Sequence, residues 1–215
     1  DAAIKGLEFY LGEFAKGGCT TAGALDSNCI DKESGAPMIR STLKAYEVTG
    51  EQKYLDAAVR AFDFYYEELE REGFTTAGAL DTYSIDKESA SPLLRCCLRL
   101  LEVTGNIRYV ACAEKIGWYL TTWMMHYTVD YPQETVLGQM GLDTFGITAV
   151  STPHNALDQY ALRDVLSFKK LYELTGNIQW RERAQALWYG ANQCISDGTL
   201  VVNGRLRPAG GQDEA

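Results

Sequence analysis

Histidine is scarce in this sequence: His126 and His154 are the only two. None of the six cysteines, Cys19, Cys29, Cys96, Cys97, Cys112 and Cys194, forms a CxxC pair. Zinc-ligand spacing is therefore absent, and no metal or other cofactor is expected. No apolar run approaches the ~18 residues that mark a membrane-spanning helix. A Gly-rich phosphate loop, a Walker lysine and a dinucleotide fingerprint are all missing. So is the aspartate-rich run of metal-dependent prenyl chemistry. Positive charge is in deficit, with 20 Lys and Arg against 29 Asp and Glu, a formal net charge of −9. Such a chain repels phosphate backbones, which excludes nucleic acid as a partner. Residues 1–9 have neither the basic start nor the apolar stretch of a signal peptide, and they open without Met. They read as helix from the outset, with the natural start lying elsewhere.

What is present suits one globular domain with a real core: 215 residues, 46% hydrophobic, 11% aromatic and 23% charged. Cys96, Cys97 and Cys112 fall within helical patterns, where a thiol behaves as a small apolar residue. Unpaired thiols favour a reducing, cytoplasmic setting. Sequence separation alone also permits a Cys19–Cys29 bridge. Trp118 and Trp188, at helical spacing, are expected in the core.

The dominant signal is an internal repeat. Residues Gly18–Gly50, GCTTAGALDSNCIDKESGAPMIRSTLKAYEVTG, match Gly73–Gly105, GFTTAGALDTYSIDKESASPLLRCCLRLLEVTG, at an offset of 55, with 20 of 33 positions identical. This period is longer than the ~34 residues of tetratricopeptide or the ~40–47 of HEAT repeats. It accommodates two helices and one long loop. In the first copy Ser34 or one of its neighbours caps a helix with Pro37 in its first turn. Apolar Met38, Ile39, Leu43, Ala45 and Tyr46 follow, and Gly50 closes it. A second helix, about Glu51–Glu70, carries Leu55, Ala58, Val59, Phe62 and Tyr66 on one face. The second copy repeats this through Gly105, with a helix from Tyr109 to His126. A third unit ends in LYELTGN, Leu171–Asn177, and predicts helices over Ala156–Thr175 and Ile178–Ile195. Its extra residues fall in a long loop, Thr128–Pro153.

With a leading helix at Ala2–Phe14, the pattern predicts seven helices. They form one domain over residues 1–215, with hairpin units at about 31–71, 86–126 and 154–195. Turns within a hairpin are short. Connections between hairpins are long and carry the repeated motifs, so the N-terminal end of each first helix is the expected working face. Glu214 stands 38 residues after Gly176, as Glu88 does after Gly50. Both chain ends thus read as cuts through a repeating array. A missing remainder of the chain, or another copy, would complete it.

These αα-hairpins, with the punctuation of Tyr46–Ala58 and the segment HNALDQYALRDVLSFKKLYELTGN (His154–Asn177), resemble the six-hairpin glycosidase superfamily. The resemblance implies an all-α fold, an (α/α)6-type toroid that is incomplete in this chain, and a carbohydrate substrate. It also implies carboxylate chemistry near the N-termini of the inner helices. The matching positions are Asp31, Glu33, Asp86, Glu88 and Asp158. Asp26, Asp81, Tyr83, Asp143, His154 and Glu214 are the candidate substrate-binding residues around them. Trp123, Tyr131 and Phe145 would add stacking surfaces for sugar rings.

Glycoside hydrolysis needs two carboxyl groups, ~6.5–9.5 Å apart for inversion and ~5–5.5 Å apart for retention. Packed helices lie ~8–10 Å apart, so Glu33 and Glu88 on adjacent first helices suit the former. Lys32 and Lys87 would meet a uronate carboxylate or pair with Glu33 and Glu88. The same acids are equally good helix caps. A sugar epimerase or polysaccharide lyase on the same fold, favoured by a working His154, and a non-catalytic helical-repeat binding protein are the alternatives.

Overall fold

The computed structural model describes residues 2–14, 32–77, 84–153, 157–193, 195–199, 201–202 and 204–211. The chain is all-α, with three short two-stranded ribbons among the described residues. Its contacts form two compact units, Asp1–Leu120 with Ser151–Pro153, and Thr121–Val150 with His154–Ala215. No helix among the described residues is long and apolar enough to cross a membrane.

The first unit contains α1 (Ala2–Phe14), α2 (Lys32–Thr49), α3 (Gln52–Glu72), β1 (Thr75–Thr76), β2 (Ile85–Asp86), α4 (Ala90–Thr104) and most of α5 (Arg108–Thr121). The turn between paired helices follows from its Thr-Gly sequence. Thr49 and Thr104 donate their hydroxyls to the carbonyls of Ala45 and Leu100, at 2.8 and 2.6 Å, and accept the N–H groups of Glu51 and Asn106. Gly50 and Gly105 then take positive φ, 72° and 66°, and return their N–H groups to the last helical turn. Threonine thus closes the helix and glycine reverses the chain, which accounts for the recurrence of this pair. Thr175 and Gly176 repeat the device in the second unit.

The repeat extends further upstream than the motif pair indicates. AAIKGLEFY at Ala2–Tyr10 aligns with AAVRAFDFY at Ala57–Tyr65 at the same offset, so α1 is a counterpart of α3. The contacts repeat as well. Lys53 bridges to Glu8 at 3.0 Å and lies over the Tyr54 ring. Arg108 bridges to Asp63 at 2.6 Å and lies over the Tyr109 ring. Helix α3 buries Tyr54, Ala57, Ala58, Ala61, Phe62, Tyr65 and Leu69, a stripe at helical spacing.

Several expectations change: α5 ends at Thr121 rather than His126, and among the described residues α6 (Val136–Met140), inside the long loop, adds a helix to the seven expected. Helix α2 begins at Lys32, so Ser34 lies inside it and Pro37 falls in its second turn. The Lys32 ammonium anchors that first turn, pairing with Glu68 at 2.5 Å and donating to the Thr76 hydroxyl. Trp118 and Trp188 are 39% and 50% exposed. In the second unit, the helix expected from Ala156 is replaced by β4 (Leu157–Asp158), a 3-10 segment (Gln159–Asp164) and α7 (Val165–Thr175). Asp158 causes this. It is extended (φ −107°, ψ 110°), pairs with Thr148, and its carboxylate accepts the Tyr160 N–H at 2.7 Å.

The rest of the second unit comprises α6 (Val136–Met140), β3 (Thr148–Ala149), α8 (Ile178–Asn192), β5 (Val201–Val202) and β6 (Arg205–Leu206). Helix α6 lies inside the long loop and is capped by Thr135, whose hydroxyl accepts the Gly138 N–H at 3.0 Å. Leu142, Ile147 and Leu157 form one core, with Met125, Tyr131 and Leu137 packed on it. Trp180, Ala184, Leu187 and Ala191 form the buried stripe of α8, with Trp180 against Phe168.

Candidate functional site

The motif TTAGALD…IDKES builds a small ribbon before the first helix of a pair. Thr75 pairs with Asp86, and Thr76 with Ile85. Ser151 extends the ribbon by bridging to Asp86, and the Thr152 N–H reaches the Ile85 carbonyl at 3.0 Å. Asp86 is 1% exposed. The Thr75 hydroxyl donates to its carbonyl at 2.8 Å and stands 3.4 Å from its carboxylate. The Ser89 N–H meets the carboxylate at 3.2 Å, and the Tyr119 hydroxyl donates to the Asp86 carbonyl. Asp86 therefore ties the ribbon to the turn that opens α4, satisfying an N–H that would otherwise lack a partner.

The second unit repeats this latch. Thr148 pairs with Asp158, and its hydroxyl lies 3.3 Å from the Asp158 carbonyl and 3.4 Å from the carboxylate. Asp158 is also 1% exposed. The sequence signal was GITA (Gly146–Ala149) followed by LD (Leu157–Asp158), a counterpart of GFTT and ID that the longer loop obscured. For Asp86→Ala we expect a loss of about 1–3 kcal/mol in urea unfolding, because the buried Ser89 N–H loses its carboxylate acceptor.

Glu88, two residues beyond the latch, is only half-buried, and it engages neighbouring groups. Glu33 is the second residue of α2, and its side chain lies outside the described set. Asp143 is exposed. Its carboxylate takes the Thr128 hydroxyl at 2.5 Å and the Phe145 N–H at 2.9 Å, which together hold it below the usual carboxylate range. Asp26, Asp31, Asp81, Tyr83, His154 and Glu214 lie outside the described residues. Lys32 turns to Glu68 and Thr76, and Lys87 is buried. Sequence reasoning missed Glu68, which also takes the Thr76 N–H and hydroxyl at 3.2 and 2.9 Å. It missed Tyr160 as well, which holds the register of Glu88 in the third unit, with the Arg163 guanidinium 4.8 Å from its ring centre. Among the described residues, no group of three or more His, Cys, Asp or Glu stands together as a metal site.

The thiols differ sharply. Cys96 and Cys97 are buried, and burial raises both, Cys96 to about 12. Cys112 is half-buried, and hydrogen bonding from Cys97 and then Tyr66 lowers it to about 7. Above that value it is largely thiolate, the reactive form. We expect iodoacetamide to label Cys112 ahead of Cys96 and Cys97, with a rate that inflects near pH 7. In Cys97→Ala the inflection moves toward the ordinary ~8.5. Peptide mass mapping checks both.

No protein-family model matches the chain, and no curated protein matches it. Among solved structures the chain is similar to a polysaccharide lyase, at 13% identity and a TM-score of 0.43, over 81% of this chain and 30% of that one. The chain thus spans under a third of that lyase's length.

Proposed function

We propose that the chain forms part of a carbohydrate-active enzyme of the (α/α)6 type, a glycoside hydrolase with Glu33 and Glu88 as its acid–base pair. One observation carries this reading: the two acids of the second motif copy sit in different environments. Asp86 is consumed by the fold, whereas Glu88 stays half-exposed at the helix mouth. A cap needs one acid, yet both copies keep a second two positions later, at Glu33 and Glu88. Asp86 and Asp158 then act as positioning residues, together with Asp31 at the matching place. Helices α2 and α4 are packed neighbours, since the Cys96 thiol donates to the Ala36 carbonyl at 3.4 Å. Their spacing of ~8–10 Å suits a pair of carboxyl groups with water between them.

The test is a panel of neutral and uronate oligosaccharides, followed for new reducing ends and for the ultraviolet absorbance of an unsaturated uronate. Hydrolysis gives only the first signal. Glu88→Gln and Glu33→Gln should each lower turnover at least ~100-fold with an unchanged melting temperature. Unchanged turnover, or a shift in melting alone, would make the pair structural.

Tyr160 and Arg163 favour a second reading, β-elimination from a uronate. A 39%-exposed phenol beside a guanidinium supplies a proton-transfer group and a partner for the substrate carboxylate. In that case the absorbance signal appears, and Tyr160→Phe removes it. Binding without either product would identify a glycan-binding array.

A further inference from the structure

We propose that the groove between α1 and α2 is a docking seat for an amphipathic helix with the chemistry of α2. The groove has a volume of about 630 Å³ and a largely apolar lining. Its floor is Leu7 and Ala45, and its walls include Ala3, Gly6, Ser41 and Lys44.

The repeat says what belongs there. At an offset of 55, Ala3, Gly6 and Leu7 of α1 correspond to Ala58, Ala61 and Phe62 of α3. Those three are fully buried at 0% exposure, whereas Ala3 and Gly6 are exposed. Likewise Ser41 and Lys44 of α2 correspond to Cys96 and Arg99 of α4. Helix α2 lies against α3 and α4, and both of these α4 residues touch it. Cys96 meets the Ala36 carbonyl at 3.4 Å, and the Arg99 guanidinium pairs with Glu47. The α1–α2 groove is therefore the counterpart of the surface on which α2 rests.

Charge completes the match. Arg99 holds two acids: Glu102 of its own helix at 2.6 Å, and Glu47 of α2. Lys44 holds only the counterpart of Glu102, which is Glu47 of its own helix at 3.1 Å, and remains 70% exposed. The occupant is thus a helix with small and branched apolar residues on one face. A carboxylate near its C-terminal end reaches Lys44, and a backbone carbonyl on an earlier turn accepts from Ser41. This inference rests on the repeat geometry and is independent of the reaction proposed above.

A fluorescein-labelled peptide of residues 32–49, KESGAPMIRSTLKAYEVT, titrated into the intact chain and followed by anisotropy, tests it. Saturable one-to-one binding is expected. Lys44→Glu should weaken it about 10-fold or more, and a peptide carrying Glu47→Lys should restore it on that variant. Gly6→Leu adds bulk at the groove wall, where an added Cβ meets nothing within 4 Å. It should abolish binding with no loss of melting temperature. No binding at ~1 mM peptide, a level at which even weak specific association shows, would overturn the proposal. So would binding indifferent to both variants. Sedimentation showing a dimer that the peptide does not disperse would assign the groove to a second copy and overturn it as well.

Discussion

Replacing Gly146 with alanine should cost about 2–5 kcal/mol. Two effects add. Gly146 has φ +84°, a conformation that costs an L-residue ~1–2 kcal/mol. An added Cβ would also stand 2.2 Å from the Ala186 carbonyl oxygen, inside the backbone of α8. Backbone does not yield as a side-chain tip does, so overpacking contributes a further ~1–3 kcal/mol. Gly190 faces the same contact from the helix side, with a Cβ only 2.7 Å from the Gly146 carbonyl carbon and the Ile147 nitrogen. The two glycines let the 145–147 turn lie directly on α8. Gly190→Ala should therefore destabilise by the overpacking contribution alone. Gly50→Ala and Gly105→Ala are the controls: their φ is positive, but their surroundings are open, so only ~1–2 kcal/mol should be lost. Urea unfolding of the four variants separates the contributions.

Trp180→Ala should cost about 3–5 kcal/mol, as expected for deleting a fully buried indole. Trp180 is 0% exposed and contacts Phe168, with ring centres 5.7 Å apart. It joins α8 to α7, so its removal opens the contact that holds this hairpin together. Trp188→Ala is the paired control. At 50% exposure it should change stability by well under 1 kcal/mol, the range of ordinary surface substitutions. A larger loss at Trp188 than at Trp180 would contradict the assigned face of α8.

These tryptophans show where sequence reasoning stops. Helix existence was legible, because the 55-residue repeat and the Thr-Gly turns mark each hairpin. The buried face of α8 was not, since an indole is apolar on either side of a helix and neighbouring residues differ in direction by only ~100°. The ribbons were equally hidden. Two-residue strands such as Thr75–Thr76 and Ile85–Asp86 have no room to show alternation. The third copy was masked by its insertion, so Asp158 read as part of a helix.

The candidate site was legible as a motif but not as a division of labour. Asp86 and Glu88 are both acids two residues apart, and nothing in the string distinguishes a buried anchor from a half-exposed carboxylate. The difference comes from Thr75 and Ser89, which are distant or bland in the sequence and adjacent in space. Glu68 illustrates the same point: 36 residues from Lys32, it becomes the partner of that ammonium only when α3 folds alongside α2.

The Thr–Asp latch has an evolutionary corollary. Thr75 and Asp86 fasten the two strands to each other and to α4, so selection that keeps this pair also keeps the entry to the helix.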